Sequence, residues 1–329
     1  MKKTTTAALL IALALLVIIG LVAVLRIATS HTANDAALRI YLPSDTDYTA
    51  LLDTLDANGI GTSTALRLMA KATKLDKNVR AGSYVVQPQM KNIALVRKLR
   101  NGMQDPLRLT IGKYRLPQQL NEYLNAKLMH DDFNITLDSF HLILRDTYEF
   151  YWTVTPEQFM QRMAKEYDSF WKMESEKWIV DSSAAESSHL AHRDAIILAS
   201  IVEEETNYGP EKPLVASVYL NRLRRGMPLQ ADPTVKYAVG DFTLRRILNR
   251  HLATESHFNT YLHTGLPPAP ICLPSKATIE AVLNAPQTDF LYFCASDKMD
   301  GTHRFASSLD EHNRNAQRFH QALNNLGVK

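Results

Sequence analysis

Two cysteines, Cys272 and Cys294, stand in 329 residues, too few for a fold stapled by disulfides. A single bridge between them is possible in an oxidising compartment. Two buried small side chains are an equally good reading, because sequence does not give their separation. Charge is also nearly balanced. A net +3, with no cluster of Lys or Arg interleaved with aromatics, argues against a nucleic-acid partner. The Arg-rich pieces at 222–225 and 245–250 read as solvated helix faces. The chain has no HExxH, no CxxC, no GxSxG, no phosphate loop and no glycine-rich dinucleotide turn. Their absence removes the commonest metalloprotease, thiol-redox, serine-hydrolase and nucleotide classes, and no cofactor is expected. His303 and His312 have no carboxylate at ligand spacing beside them, so no metal is expected either.

What is present is globular material, 46% hydrophobic and 22% charged, long enough for two domains with cores of their own. Near the amino terminus an uncharged run from Ala7 to Leu25 lies between Lys2-Lys3 and Arg26. It has about the ~20 apolar residues that a bilayer-crossing helix needs. A cleaved signal peptide, with Ala28-Thr29-Ser30 as its site, is the less favoured alternative because its apolar region is shorter. The two lysines and the amino terminus outweigh Arg26. The positive-inside rule therefore places the tail in the cytoplasm and everything after Ile27 on the outer, periplasmic side of the plasma (inner) membrane.

The expected architecture is α+β, in four parts. Residues 1–30 form the tail and transmembrane helix. Residues 31–110 form a small α+β module: a strand from Leu38, a helix with Leu51, Leu52 and Leu55 as its stripe, and a helix capped by Thr62 or Ser63. A strand at 83–86, a helix at 93–99 and a strand from Leu107 complete it. Residues 111–188 connect, mostly helical, with an aromatic-rich interruption at DTYEFYWTVTPEQF; Thr155, Pro156 and Gln158 make a good helix start there. The polar run DSSAAESS ends that part. Residues 189–329 form a mixed α+β domain, the one in which the candidate catalytic residues fall. Its first helix, capped by Ser187 or Ser188, is stopped by Gly209-Pro210, and Pro213 begins the next. MPLQADPTVKYAVGD reads as a loop. A helix around 244–252, a helix at 276–283, a strand from Phe290 and a last helix capped near Ser307 or Ser308 follow.

The first helix of that domain ends in ILASIVEEET, three glutamates at the negative end of its dipole. Successive residues turn by about 100°, so the three carboxylates point in different directions. Glu205 stands four after Ile201, three after Val202 and seven after Leu198, and so extends the buried stripe. Burial, the dipole and anionic neighbours all raise a carboxyl's pKa, and a carboxyl protonated near neutrality is what a general acid needs. An ion pair between Glu205 and Arg222 that serves only packing remains open on these residues. Gln230, Asp232, Thr234, Tyr237, Asn259, Thr260 and Tyr261 supply the amides, hydroxyls and rings that suit a sugar chain.

The strings LASIVEEET, VASVYLNRLRRGMPLQADPTVKYAVG, FNTYLHTGLPPAPI and THRFASSLDEHN follow one another as in the MltG (YceG-like) endolytic murein transglycosylases, which this sequence resembles from its apolar run to its last helix. RAGSYVV…LVRKLRNG is similar to that family's LysM-like module, and DTYEFYW to its PDTY segment. Ala269 stands where the family's PPGPI-type run has glycine. The resemblance implies an enzyme that cuts the β-1,4 bond between N-acetylmuramic acid and N-acetylglucosamine in nascent glycan strands beside peptidoglycan synthases. It leaves 1,6-anhydro ends and limits strand length. It also implies that Glu205, the second of the family's E-x-E pair, is the catalytic acid. Glu203 comes next, with Gln230, Asp232, Thr234, Tyr237, Asn259 and Tyr261 near the substrate. A non-catalytic glycan-binding scaffold for synthases, and a hydrolytic muramidase using Asp232 as base, are the alternatives.

Overall fold

The computed structural model describes residues 2–180, 191–244 and 246–325. The run 181–188, with the boundary and the Ser187 and Ser188 caps placed on it, lies outside them. The fold is mixed α+β, built from helices and three two-stranded sheets.

The first helix, α1 (Lys2–Ala28), presents apolar side chains on every face, with Leu13, Ile19, Leu21 and Val24 all exposed. A helix apolar all round has no core-facing stripe and belongs in a protein interior or in lipid. Its stretch Leu10–Ala28 is a candidate single membrane span.

The chain divides into two compact units. One holds residues 1–109, 127–130 and 149–154; the other holds 110–126, 131–148 and 155–329. In the first unit, β1 (Leu38–Leu42) leads into α2 (Tyr48–Ala57) and α3 (Thr64–Thr73), then β2 (Gly82–Val86) and α4 (Asn92–Arg100). β1 and β2 are antiparallel, in register from Leu38 opposite Val86 to Leu42 opposite Gly82. Ile40, Leu42, Tyr84 and Val86 from the sheet meet Leu51, Leu55, Leu66, Leu95 and Leu99 from the helices in one core. Local chemistry sets the helix starts. Asp47 accepts from the Ala50 amide and Ser63 from the Leu66 amide, each the N-cap bond that satisfies an orphan donor.

From β3 (Leu107–Thr110) the chain runs through α5 (Pro117–Lys127), the single turn α6 (Leu137–Phe140), β4 (Thr147–Phe150), which pairs with β3, and α7 (Pro156–Val180). The aromatic interruption thus contains a strand. At the start of α7, Thr155 Oγ1 accepts from the Gln158 amide and Gln158 Oε1 from the Thr155 amide, a reciprocal capping box.

The core of the second unit is α8 (His192–Glu205), crossed by α9 (Lys212–Arg224) and α12 (Lys276–Leu283). Ala195, Leu198, Ala199, Ile201 and Val202 of α8 are completely buried there. Ala191 is the N-cap of α8 and makes no side-chain bond; Asp194 in the first turn complements the dipole. The helix stops earlier than expected. Thr206 turns extended, and its hydroxyl accepts from the Tyr208 amide, so Gly209–Glu211 forms a short 3-10 turn into α9.

Between α9 and α12 lie α10 (Asp232–Val239) and α11 (Asn249–Leu252). The sequence reading took the α10 segment for a loop. The turn formers are its ends: Pro233 sits in the first turn, where a missing N–H costs nothing, and Gly240 closes the helix at φ +75°. The helix expected over 244–252 shrinks to the single turn α11. Upstream of it, Asp241 accepts from both the amide and the hydroxyl of Thr243 and holds the chain in a turn. The strand from Phe290 is β5 (Tyr292–Ala295). A partner that the sequence reading missed, β6 (His303–Ala306), pairs antiparallel with it before α13 (Leu309–Asn325), whose Ser308 accepts from the Glu311 amide. Cys272 and Cys294 are free thiols. Cys272 is buried against the Ser200 carbonyl, and no bridge joins them.

Candidate active site

The three glutamates at the end of α8 meet three different environments, as a 100° step requires. Glu203 is 9% exposed and fully partnered: Oε1 accepts from Arg145 at 2.6 Å, and Oε2 from Lys212 at 2.8 Å, Ser275 at 3.1 Å and Thr278. Burial alone would raise its pKa, but Lys212, Thr278 and Arg145 outweigh burial and hold the carboxyl down at about 2. Glu204 pairs with Arg115 at 2.9 Å and Lys113 at 3.2 Å, which likewise overcome burial and lower its pKa.

Glu205 has no such partner. Burial raises its pKa to about 7. The Tyr219 hydroxyl, donating to Oε1 at 2.5 Å, opposes that rise, Asp232 and Glu204 add to it, and Lys236 opposes it. Tyr219 projects from α9, is 2% exposed, and packs edge-on against Phe293 of β5 with ring centroids 5.8 Å apart. Its hydroxyl is therefore a fixed donor. Since Oε1 accepts that bond, Oε2 is left to carry the proton of the neutral acid. The ion pair with Arg222 does not form. Arg222 spends its guanidinium on the carbonyls of Leu291, Leu229 and Pro228 and on Gln230 Oε1, and lies 5.3 Å from the Tyr292 ring centroid.

Glu205 borders an open groove of about 630 Å³. Thr206, Asn207 and Tyr208 line one side, and the β5–β6 hairpin lines another through Ser296, Met299, Thr302 and His303. A groove of mixed polar and apolar lining beside one desolvated acid has the build of a site for a chain of sugar rings with their hydroxyls and amides.

The other residues singled out in the sequence divide in two. Asp232 and Tyr261 stand near Glu205: the Tyr261 hydroxyl donates to Asp232 Oδ1 at 2.7 Å, and both groups act electrostatically on the Glu205–Tyr219 pair. Gln230 is exposed, in a left-handed backbone conformation at φ +52°. The rest hold the wall together. Thr234 is fully buried and shares its hydroxyl with Thr260 and the Ala231 carbonyl. Asn259, also fully buried, donates to the Leu252 and Thr254 carbonyls and accepts from the Tyr261 amide. Tyr237 packs on Phe258 at 4.5 Å, and burial raises its pKa. Sequence reasoning missed Tyr219, which lies midway along α9 with no local signal for its partner 14 positions away, and missed the carboxylate beside His303. That carboxylate is Glu211, bonded at 2.8 Å from 92 positions away. Among the described residues no three His, Cys, Asp or Glu side chains converge as metal ligands.

Comparison with known proteins places this chain in a family. The chain is 40% identical over 129 residues to an endolytic murein transglycosylase of Bacillus subtilis, a stretch covering 39% of this chain and 35% of that protein. It is 33% identical over 147 residues to an endolytic murein transglycosylase of Streptococcus pneumoniae, covering 43% of this chain and 26% of that protein. The matches thus span about a third or less of those relatives' lengths. The fold is similar to the 2.6 Å crystal structure of a yceG-like protein from Listeria monocytogenes, with a TM-score of 0.50 and 24% identity over 85% of this chain and 99% of that one. The profile of the YceG-like family matches residues 40–318, most of the chain, and the protein belongs to the YceG-like family.

Proposed function

We propose that this protein is a membrane-anchored endolytic lytic transglycosylase that cuts the β-1,4 bond between N-acetylmuramic acid and N-acetylglucosamine in peptidoglycan strands. The observation that carries the reading is Glu205: a desolvated carboxyl with a pKa near 7, tied through one oxygen to Tyr219 and bordering the groove. The names of the two bacterial relatives support the same class of reaction.

The chemistry needs one carboxyl. Glu205 Oε2–H protonates the glycosidic oxygen, and the C1–O bond breaks through an oxocarbenium-like state. The carboxylate so formed takes the proton of the muramic acid C6 hydroxyl while O6 closes on C1, giving a 1,6-anhydro ring and returning Glu205 to its acid form. Glycosidases that use water or a covalent intermediate need two carboxylates. Here the nucleophile is part of the substrate and acts at high effective molarity. Asp232 and Tyr261 order one wall; Asn207, which lines the groove, and the exposed Gln230 are the amides proposed to meet acetamido groups. Residues 31–110 act as a LysM-like module that grips the strand, 111–188 connect, and 189–329 carry catalysis. α1 anchors the chain in the plasma membrane with Lys2 and Lys3 in the cytoplasm, beside the synthases that supply nascent strands.

Mass spectrometry of uncrosslinked glycan strands treated with the full chain in detergent tests the reading. Anhydro-muramic ends are expected. Reducing ends with water added identify a muramidase and turn attention to Asp232. Binding without cleavage leaves a scaffold.

Tyr219→Phe keeps the ring and removes the bond that lowers the Glu205 pKa. Its alkaline limb of activity is expected to move to higher pH by about one unit, the effect of losing a charge-assisted bond of ~1.5–3 kcal/mol, partly offset by solvent. A pH–rate profile checks this; an unmoved limb would remove Tyr219 from the acid's environment.

A further inference from the structure

The groove holds a second oriented side chain that the one-carboxyl mechanism does not use. His303 opens β6, where pairing with Ala295 of β5 fixes its backbone. Its Nδ1 lies 2.8 Å from Glu211 Oε2, and its own amide donates to both Glu211 oxygens at 2.9 and 3.1 Å. Glu211 is 8% exposed, so its carboxylate is committed to this one residue. Phe293 meets the imidazole edge-on at 5.4 Å. The ring is thus held on one edge and one flank. A carboxylate against Nδ1 keeps the proton on that nitrogen and leaves Nε2, on the opposite edge, as an acceptor in the neutral ring. No hydrogen bond to Nε2 is present among the described residues, although His303 lines the groove that Glu205 borders.

We propose that His303 is a substrate-positioning residue: its Nε2 accepts a hydrogen bond from a hydroxyl or acetamido N–H of the glycan lying in the groove, and Glu211 sets the tautomer and ring orientation that make this possible. The inference rests on the glycan-cleaving reading above and adds a binding contact in the groove that Glu205 borders. It takes no proton from the substrate and leaves the acid–base cycle of Glu205 unchanged.

Two substitutions separate positioning from packing. In His303→Asn the amide nitrogen occupies the place of Nδ1 and still donates to Glu211, but nothing replaces Nε2. In His303→Gln the amide reaches the place of Nε2. With uncrosslinked glycan strands and the full chain in detergent, His303→Asn is expected to raise KM about tenfold, the worth of one lost hydrogen bond, with kcat and melting temperature little changed. His303→Gln is expected to recover part of that loss. An unchanged KM in His303→Asn overturns the proposal, as does a fall in kcat and melting temperature together with no rise in KM.

A measurement that leaves His303 intact covers the case in which both variants fold poorly. In ring-¹⁵N-histidine-labelled Glu205→Gln protein, the His303 Nε2 resonance is expected to move on addition of the same strands, and the free protein is expected to show the Nδ1–H tautomer. A resonance unmoved at strand concentrations that saturate binding overturns the proposal. Cleavage by the wild type together with a negative His303 result faults only this inference; its absence, with Nε2 still responding to strands, faults the cleavage reading alone.

Discussion

On the proposed mechanism Glu205→Gln is expected to abolish strand cleavage, with a loss of at least ~10³-fold in kcat, because one carboxyl would serve as acid and then as base and each role is worth ~10²–10⁴. The variant nevertheless folds better than the wild type at neutral pH. The Glu205 carboxyl has its folded-state pKa raised from 4.5 to about 7, so between those values the native state holds a proton that the unfolded chain has lost. Stability therefore declines as pH rises through that window and stays low above it. Glutamine does not titrate, so the stability advantage of the variant opens above pH 4.5 and levels off beyond pH 7. Its plateau is on the order of 3 kcal/mol. A chemical denaturation series from pH 4.5 to 8 on both proteins measures it. Activity loss without that gain would mean that Glu205 is charged in the folded protein.

The largest expected effect on stability belongs to the neighbouring carboxylate. Lys212→Met keeps the aliphatic stem but leaves Glu203 with Arg145 as its one cationic partner, and also removes the bond from Lys212 to Thr278 at 2.7 Å. Breaking one side of a buried charge cluster costs about 3 kcal/mol. Because the Glu203 pKa is held down at about 2, the stability it contributes is complete above pH 4.5 and disappears as pH falls through 2. The deficit of Lys212→Met is therefore expected to shrink between pH 7 and pH 3. The double variant with Glu203→Gln should be more stable than the single one, since the uncompensated charge is gone. Equal deficits at both pH values would contradict the assignment of Glu203 as the electrostatic clasp between α8, α9 and α12.

Together these expectations separate the glutamates of α8 by function. Glu203 and Glu204 are held ionised by cations from other elements and fix the helix end. Glu205, one further step around the helix, meets a tyrosine where the others meet cations and is left as the neutral acid. The geometry explains why a buried helix can end in three carboxylates against its own dipole: two are compensated, and the third is the neutral acid that the proposed mechanism uses.

How much of this was legible in the sequence depends on range. Caps act over three residues, so Ser63, Thr155 and Ser308 could be read or bracketed from local spacing. The stripe through Leu198, Ile201 and Val202 identified Glu205 as the desolvated carboxyl because helical periodicity is also local. Partners were not legible. Arg145 reaches Glu203 across 58 positions, Arg115 reaches Glu204 across 89, and Glu211 reaches His303 across 92. Only the tertiary fold brings them together. α10 was misread for a different reason: Asp-Pro and Gly mark turns and helix ends with the same residues, and between them Val235 is the one completely buried aliphatic side chain that shows a core-facing side.

The proposed chemistry depends on the protonation of one side chain, and the direct measurement is a titration of the Glu205 carboxyl by ¹³C NMR. The full chain, labelled at glutamate Cδ, is followed from pH 4 to 9, with Glu205 assigned by the resonance missing from Glu205→Gln. A midpoint near 7, moving upward in Tyr219→Phe, is the predicted result. A midpoint near 4.5 would mean that the groove is bordered by an ordinary carboxylate, and the proposed acid would be wrong.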